Sequence, residues 1–137
     1  MTVNDLDGNS MNWQLIGHTP KIGAAKSSLH LKARNILSAL YPTMQVLEEV
    51  PIYIRRSEVL YLDFYLPLKK ICIETHGEQH YKFVSHYHSN ALGFMRHKKR
   101  DREKQEWCEI NGITYIELPF NESDELWIQR IEQQKNN

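Results

Sequence analysis

The sequence predicts a mixed α/β domain (α+β class), with a central sheet of mixed strand sense flanked by helices. Three observations lead there. Two stretches have the spacing and end signals of helices, three β-branched and aromatic runs lie between them, and one more strand and a short helix follow. The order α-β-β-β-α-β-α contains no internal repeat and no low-complexity tract. Such an order builds a sheet with helices packed on it.

Residues 1–22 are polar, with Asp7-Gly8-Asn9-Ser10 and later Gly17, His18 and Pro20, and nothing there repeats at a helix or strand period apart from the short Trp13-Gln14-Leu15-Ile16. This reads as a flexible N-terminal arm. Residues 23–137 read as a single domain. Leu29, Ala33, Ile36, Leu37 and Leu40 fall at helical spacing, with Ser27 and Ser28 as caps and Tyr41-Pro42 as the stop.

Met44 to Ile54 is rich in Val, Ile and Tyr, and Pro51 within it implies an edge or a bulge. Val59 to Leu66 closes at Pro67, and Lys70 to Thr75 is a short buried strand leading into His76-Gly77. The short linkers between these runs predict an antiparallel meander. Residues 76–91 read as a loop rich in His and Tyr. A second helix covers Leu92 to Ile110 and stops at Asn111-Gly112. Ile113 to Leu118 is a strand, and Asp124 to Gln133 a final helix.

Composition narrows the function. At 137 residues, 41% hydrophobic and 25% charged, the chain is an ordinary folded domain and not a disordered one. No apolar run approaches the roughly 20 residues of a membrane helix, and no apolar stretch follows Met1 as in a secretory signal. A membrane partner is therefore not expected, and a reducing, cytoplasmic setting is. Seventeen Lys/Arg balance seventeen Asp/Glu, which excludes a basic field over the whole protein. Cys72 and Cys108, both in apolar segments, do not make a disulfide scaffold or a four-cysteine zinc site.

The chemistry concentrates between Tyr61 and Tyr81. Asp63 sits in one apolar strand and Glu74 ends the next, and acids are rarely buried without a partner. A turn near Pro67 to Lys70 brings the two roughly opposite each other, where their carboxylates could share a divalent ion. Mg²⁺ suits a site of few oxygen ligands, and the Thr75 carbonyl is a natural third. The competing reading is that both acids simply pair with Arg or Lys.

Local charge is uneven. Arg96 to Lys104 holds six Lys/Arg and two acids, whereas Glu117 to Glu132 holds five acids and one Arg. Arg96, Lys99, Arg100 and Lys104 would attract phosphate if the helix turns them toward the loop. His86 and His88 flank Tyr87, which reads first as a solvated loop, then as a loop near nucleic acid, and last as a zinc pair.

Four pieces, in this order, carry a family resemblance: Asp63-Phe64-Tyr65-Leu66-Pro67, Ile73 to Tyr81, Lys99 to Lys104, and Gly112-Ile113-Thr114-Tyr115-Ile116. Over roughly residues 27–120 the chain resembles the restriction-endonuclease-like (PD-(D/E)XK) nucleases, and within them the branch of very-short-patch-repair and phage homing endonucleases. The resemblance implies a restriction-endonuclease-like core and a Mg²⁺-dependent endodeoxyribonuclease, with Mn²⁺ able to substitute. It implies DNA as the partner, and leaves a homodimer that cuts both strands or a nicking monomer open.

Residue by residue, it makes Asp63, Glu74 and the Thr75 carbonyl the metal ligands and His80 the general base or an orienter of the attacking water. Asp101 becomes an acid facing the site, Gln79 and Lys104 become phosphate-binding or site-organising groups, and Lys99 and Arg100 join them as DNA-contacting residues of the basic segment. His76 stands where the motif has its Lys, so either His76 or His80 could be the base. The acid that family members often carry on the first helix is missing. His30, Glu48 or Glu49 could stand in for it, or the chain could be an inactive DNA-binding module on the same fold.

Overall fold

The computed structural model describes residues 1–15, 27–85, 88 and 90–133. Two short strands, β1 (Thr2–Asn4) and β2 (Ser10–Asn12), precede α1 (Ser28–Leu40). Then come β3 (Leu47–Arg55), β4 (Glu58–Leu66) and β5 (Ile71–His76), a 3₁₀ turn at Glu78–His80, α2 (Ala91–Ile110), β6 (Thr114–Pro119) and α3 (Asp124–Gln133).

The main sheet has the order β3-β4-β5-β6. Its first three strands form the expected antiparallel meander, and β6 joins β5 in parallel after the α2 crossover. Phe64 pairs with Ile73 and Tyr65 with Cys72, so successive residues feed opposite faces. On one face Phe64, Leu66, Ile71 and Ile73 pack with Ala33 and Leu37 of α1 and with Trp127 and Ile131 of α3. On the other, Tyr65 and Cys72 pack with Trp107 and Cys108 of α2.

Local chemistry sets the element ends. Ser27 Oγ accepts a hydrogen bond from the His30 amide at 3.1 Å, which caps α1. Asn90 Oδ1 does the same for α2 through the Gly93 amide at 2.9 Å. Gly112, at φ +69°, provides the left-handed turn after α2. Pro51 lies on β3, an edge strand, where its missing N–H is tolerated.

The N-terminal segment is not a flexible arm over its described part. Residues 1–13 form a β1–β2 hairpin whose Val3 and Trp13 are buried in the core. Trp13 Nε1 donates to the Pro51 carbonyl at 2.9 Å, and the Leu6 amide donates to the Ile54 carbonyl at 2.8 Å. A three-residue strand carries too little periodicity to announce itself, and Val3 and Trp13 dock the hairpin with Leu6, Met11 and Leu15 packed against the same core. Residues 16–22 lie outside the described residues.

The His-rich loop also differs. His88 is buried, its Nδ1 accepts from the Val84 amide at 3.0 Å, and its ring lies against Phe83, Phe94 and His97. It is a packed side chain, not a solvated one. His86 and Tyr87 lie outside the described residues. No helix among the described residues is long and apolar enough to cross a membrane.

Candidate active site

A cleft of about 420 Å³ opens where the β4–β5 end of the sheet meets the start of α1 and the middle of α2. Its lining includes Asp63, Glu74, Thr75, Gln79, His80 and Lys104, so most of the chemistry anticipated from sequence converges there. A second hollow of about 280 Å³ shares Gln79, His80 and Lys104 and continues past Arg100 and Asp101. Lys99 is exposed on α2 and lines neither hollow.

Asp63 and Glu74 do meet. The Glu74 Oε2 atom accepts from the Asp63 amide, and Asp63 Oδ2 accepts from the Thr75 amide at 3.0 Å and the Thr75 hydroxyl at 3.2 Å. The register that pairs Phe64 with Ile73 puts these acids one step further along the ladder. Glu74 is only 2% exposed.

Lys104 reaches down from α2 to Glu74 Oε1. Sequence reasoning gave Lys104 a phosphate-binding or a site-organising role, and its ammonium ends on a buried carboxylate. Burial and the nearby Asp63 charge push the Glu74 carboxyl up to about 8, against the opposing pull of Lys104. Burial opposes the Lys104 charge, but the two acids outweigh it and raise its ammonium above the ordinary lysine range. Two acids crowd one ammonium in this pocket, and the raised Glu74 carboxyl favours its protonated form.

The two histidines are distinguished by their partners. The His76 and His80 rings stack at 4.2 Å and 10°. Buried His76 has Nδ1 3.1 Å from Glu117 and Nε2 3.2 Å from the Tyr115 hydroxyl, so both nitrogens are taken. His80 Nδ1 is 2.8 Å from Asp101 Oδ2, while Nε2 has no hydrogen bond among the described residues. An imidazole held by a carboxylate on one nitrogen can exchange a proton on the other. His76, Asp101 and His80 could also approach a cation together, since one ligand atom of each lies within 4.8 Å of the others.

Sequence reasoning missed Tyr115 and Glu117 as supports of this site. Glu117 binds His76 and accepts from the Tyr81 hydroxyl at 2.6 Å, which, with the His76 bond leading, holds its carboxyl down at about 2. The available signal was Tyr-x-Glu on β6, whose alternation places both on one face of a strand beside β5.

At the α1 end, buried His30 and Arg34 clasp Glu48. His30 Nε2 lies 2.7 Å from Glu48 Oε1, and Arg34 forks onto both oxygens at 2.8 Å. Burial disfavours the Glu48 charge, but the Arg34 and His30 hydrogen bonds outweigh it and lower its carboxyl below the ordinary range. Of the residues considered to replace the missing helix acid, Glu48 is thus committed to structure, while His30 and Glu49 lie beside Asp63.

No family model matches the chain, and no solved structure matches it. It is similar to three viral proteins whose names assign no function. Uncharacterized protein 307L of Invertebrate iridescent virus 6 is 40% identical over 65 residues, 47% of this chain and 33% of that protein. Uncharacterized protein 033L of Invertebrate iridescent virus 3 is 34% identical over 61 residues, 44% of this chain and 31% of that protein. Uncharacterized protein 094L of Frog virus 3 is 38% identical over 69 residues, covering 50% of this chain and 44% of that protein. The chain thus spans less than half the length of these relatives.

Proposed function

We propose that this chain is a metal-dependent endonuclease that hydrolyses DNA phosphodiester bonds on a restriction-endonuclease-like core. The observation that carries the reading is convergence: Asp63, Glu74 and Thr75 from two strands, Lys104 from α2 and His80 from the intervening turn share one cleft, and Asp101 of α2 lines the adjoining hollow. Two carboxyls facing a single ammonium fit a pocket that takes a divalent cation with release of the Glu74 proton. Asp63, Glu74 and the Thr75 carbonyl would hold Mg²⁺, or Mn²⁺ in its place. The bound ion supplies charge neutralisation on the phosphoryl oxygens and acidifies water.

The chain's own groups do the rest. His80 Nε2 accepts the proton of the attacking water as its oxygen bonds to phosphorus and the bond to the leaving oxygen breaks. Asp101 holds the His80 ring and stabilises its charged form. Lys104 offers its ammonium to the phosphate, and Gln79 and Arg100 bind the flanking backbone. Lys99 acts only as part of the basic surface of α2. His76, with both nitrogens engaged, orients His80 by stacking.

One observation favours a DNA-binding module without cleavage: Lys104 and the Asp63 amide already satisfy both Glu74 oxygens. A plasmid nicking assay with and without chelator, on wild type and Asp63→Asn, separates the two. Mg²⁺-dependent nicking that is lost in Asp63→Asn supports the nuclease. DNA retention with no nicking in Mg²⁺ or Mn²⁺, unaffected by chelator, establishes the binding module. Whether the cut is a nick or a double-strand break, by a monomer or a homodimer, is read from the same gel and from sedimentation.

A further inference from the structure

We propose that His30, Glu49 and Asp63 form a second cation site, on the α1 side of Asp63, which takes a first-row transition metal through the Nδ1 nitrogen of His30.

One ligand atom from each of these residues lies within 4.8 Å of the other two, the spacing of donors around a single ion. His30 is 2% exposed, and its Nδ1 has no hydrogen-bond partner among the described residues. Buried polar atoms without a partner are rare and call for an explanation. The other ring nitrogen supplies one. Nε2 is 2.7 Å from Glu48 Oε1, and Glu48 is itself fixed by Arg34. A carboxylate there keeps the proton on Nε2 and leaves the Nδ1 lone pair available, the arrangement by which proteins orient metal-binding histidines. Ring stacking on Phe64, at 4.4 Å and 27°, fixes the imidazole plane.

The third donor arrives by a backbone device. Glu48 pairs with Phe64 and Val50 with Leu62, so one residue on β3 and one on β4, Glu49 and Asp63, lie between the paired positions. Glu49 adopts φ +52°, a left-handed conformation that a Glu in a strand otherwise avoids. With its backbone in that conformation, Glu49 has a carboxylate oxygen in the cluster.

The donor set indicates the metal class. One imidazole with two carboxylates favours Mn²⁺, Fe²⁺, Co²⁺ or Zn²⁺ over Mg²⁺, which prefers oxygen alone. Asp63 is shared with the proposed Mg²⁺ ligands, so the two sites adjoin. This assignment does not depend on DNA cleavage.

The test is a Mn²⁺ titration of the full chain followed by electron paramagnetic resonance, in which an imidazole ligand imprints nitrogen modulation on the signal. Wild type is expected to show that modulation. His30→Gln should abolish it and weaken Mn²⁺ binding about tenfold or more, and Glu49→Gln should weaken binding similarly while retaining it at saturation. His80→Gln should leave it unchanged. Wild type without nitrogen modulation, or modulation lost in His80→Gln instead, overturns the proposal. If His30→Gln does not fold, Glu49→Gln and His80→Gln still decide the question. Glu74→Gln separates the two readings: it should end Mg²⁺-supported nicking while the nitrogen signal persists. A wild type that keeps the signal but never nicks DNA removes the nuclease reading alone.

Discussion

Glu74 and Glu117 are register partners on the parallel pair β5–β6, yet their surroundings drive their carboxyls in opposite directions. Burial and Asp63 push Glu74 up to about 8, while the His76 and Tyr81 hydrogen bonds hold Glu117 down at about 2. Neighbouring carboxyls separated in this way are a common mark of divided chemical roles.

The Glu74 shift has a sign that can be checked. A carboxyl raised in the folded state favours folding below its unfolded value of about 4.5, and that contribution is lost as pH rises toward 8. Chelator-treated protein should therefore lose stability over this window in urea titrations. Added Mg²⁺ or Mn²⁺ should reduce the loss, and metal binding should release protons, measurable by calorimetry in buffers of different ionisation enthalpy.

Glu48 has the opposite sign. Its carboxyl is lowered, so its contribution is present above pH 4.5 and lost as pH falls further. Glu48→Gln leaves Arg34 and His30 facing a neutral amide and should cost about 3 kcal/mol, breaking a buried pair. The acid limb of the stability–pH curve should flatten in that variant.

Cleavage should depend on Asp63 more than on any other side chain of the cleft. Asp63→Ala should lower the plasmid nicking rate about a thousandfold, the loss expected for several kcal/mol of metal-derived stabilisation. Full activity in this variant would remove the assigned site.

His80 and His76 should separate in kinetics. His80→Ala should cost about 10²–10⁴ in rate, the usual weight of general-base catalysis. Asp101→Asn should reduce the rate less than His80→Ala, because Asp101 acts through the His80 ring. His76→Gln should act mainly on thermal stability, because both of its nitrogens serve buried partners.

The N-terminal hairpin should be part of the folded unit. Trp13→Ala removes a buried ring that contacts Tyr65 at 4.8 Å and Trp107 at 5.1 Å, and should cost about 3–5 kcal/mol by chemical denaturation.

The order of α1 through α3 could be read from the sequence because hydrophobic period, the Ser27 cap, Pro51 and Gly112 are local signals, each written within a few residues. The opposition of Asp63 and Glu74 could be read as well, since a tight turn between short strands leaves little choice of register. The tertiary structure alone decided what came from a distance. It placed Lys104, 30 residues after Glu74, on that carboxylate. It engaged both nitrogens of His76, left His80 Nε2 without a hydrogen bond among the described residues, and set Glu49 of β3 beside His30. It also buried Trp13 in a hairpin whose strands are too short to show a period. Side-chain partners across elements depend on how faces pack and rotate against one another, and no local pattern of residues encodes that rotation.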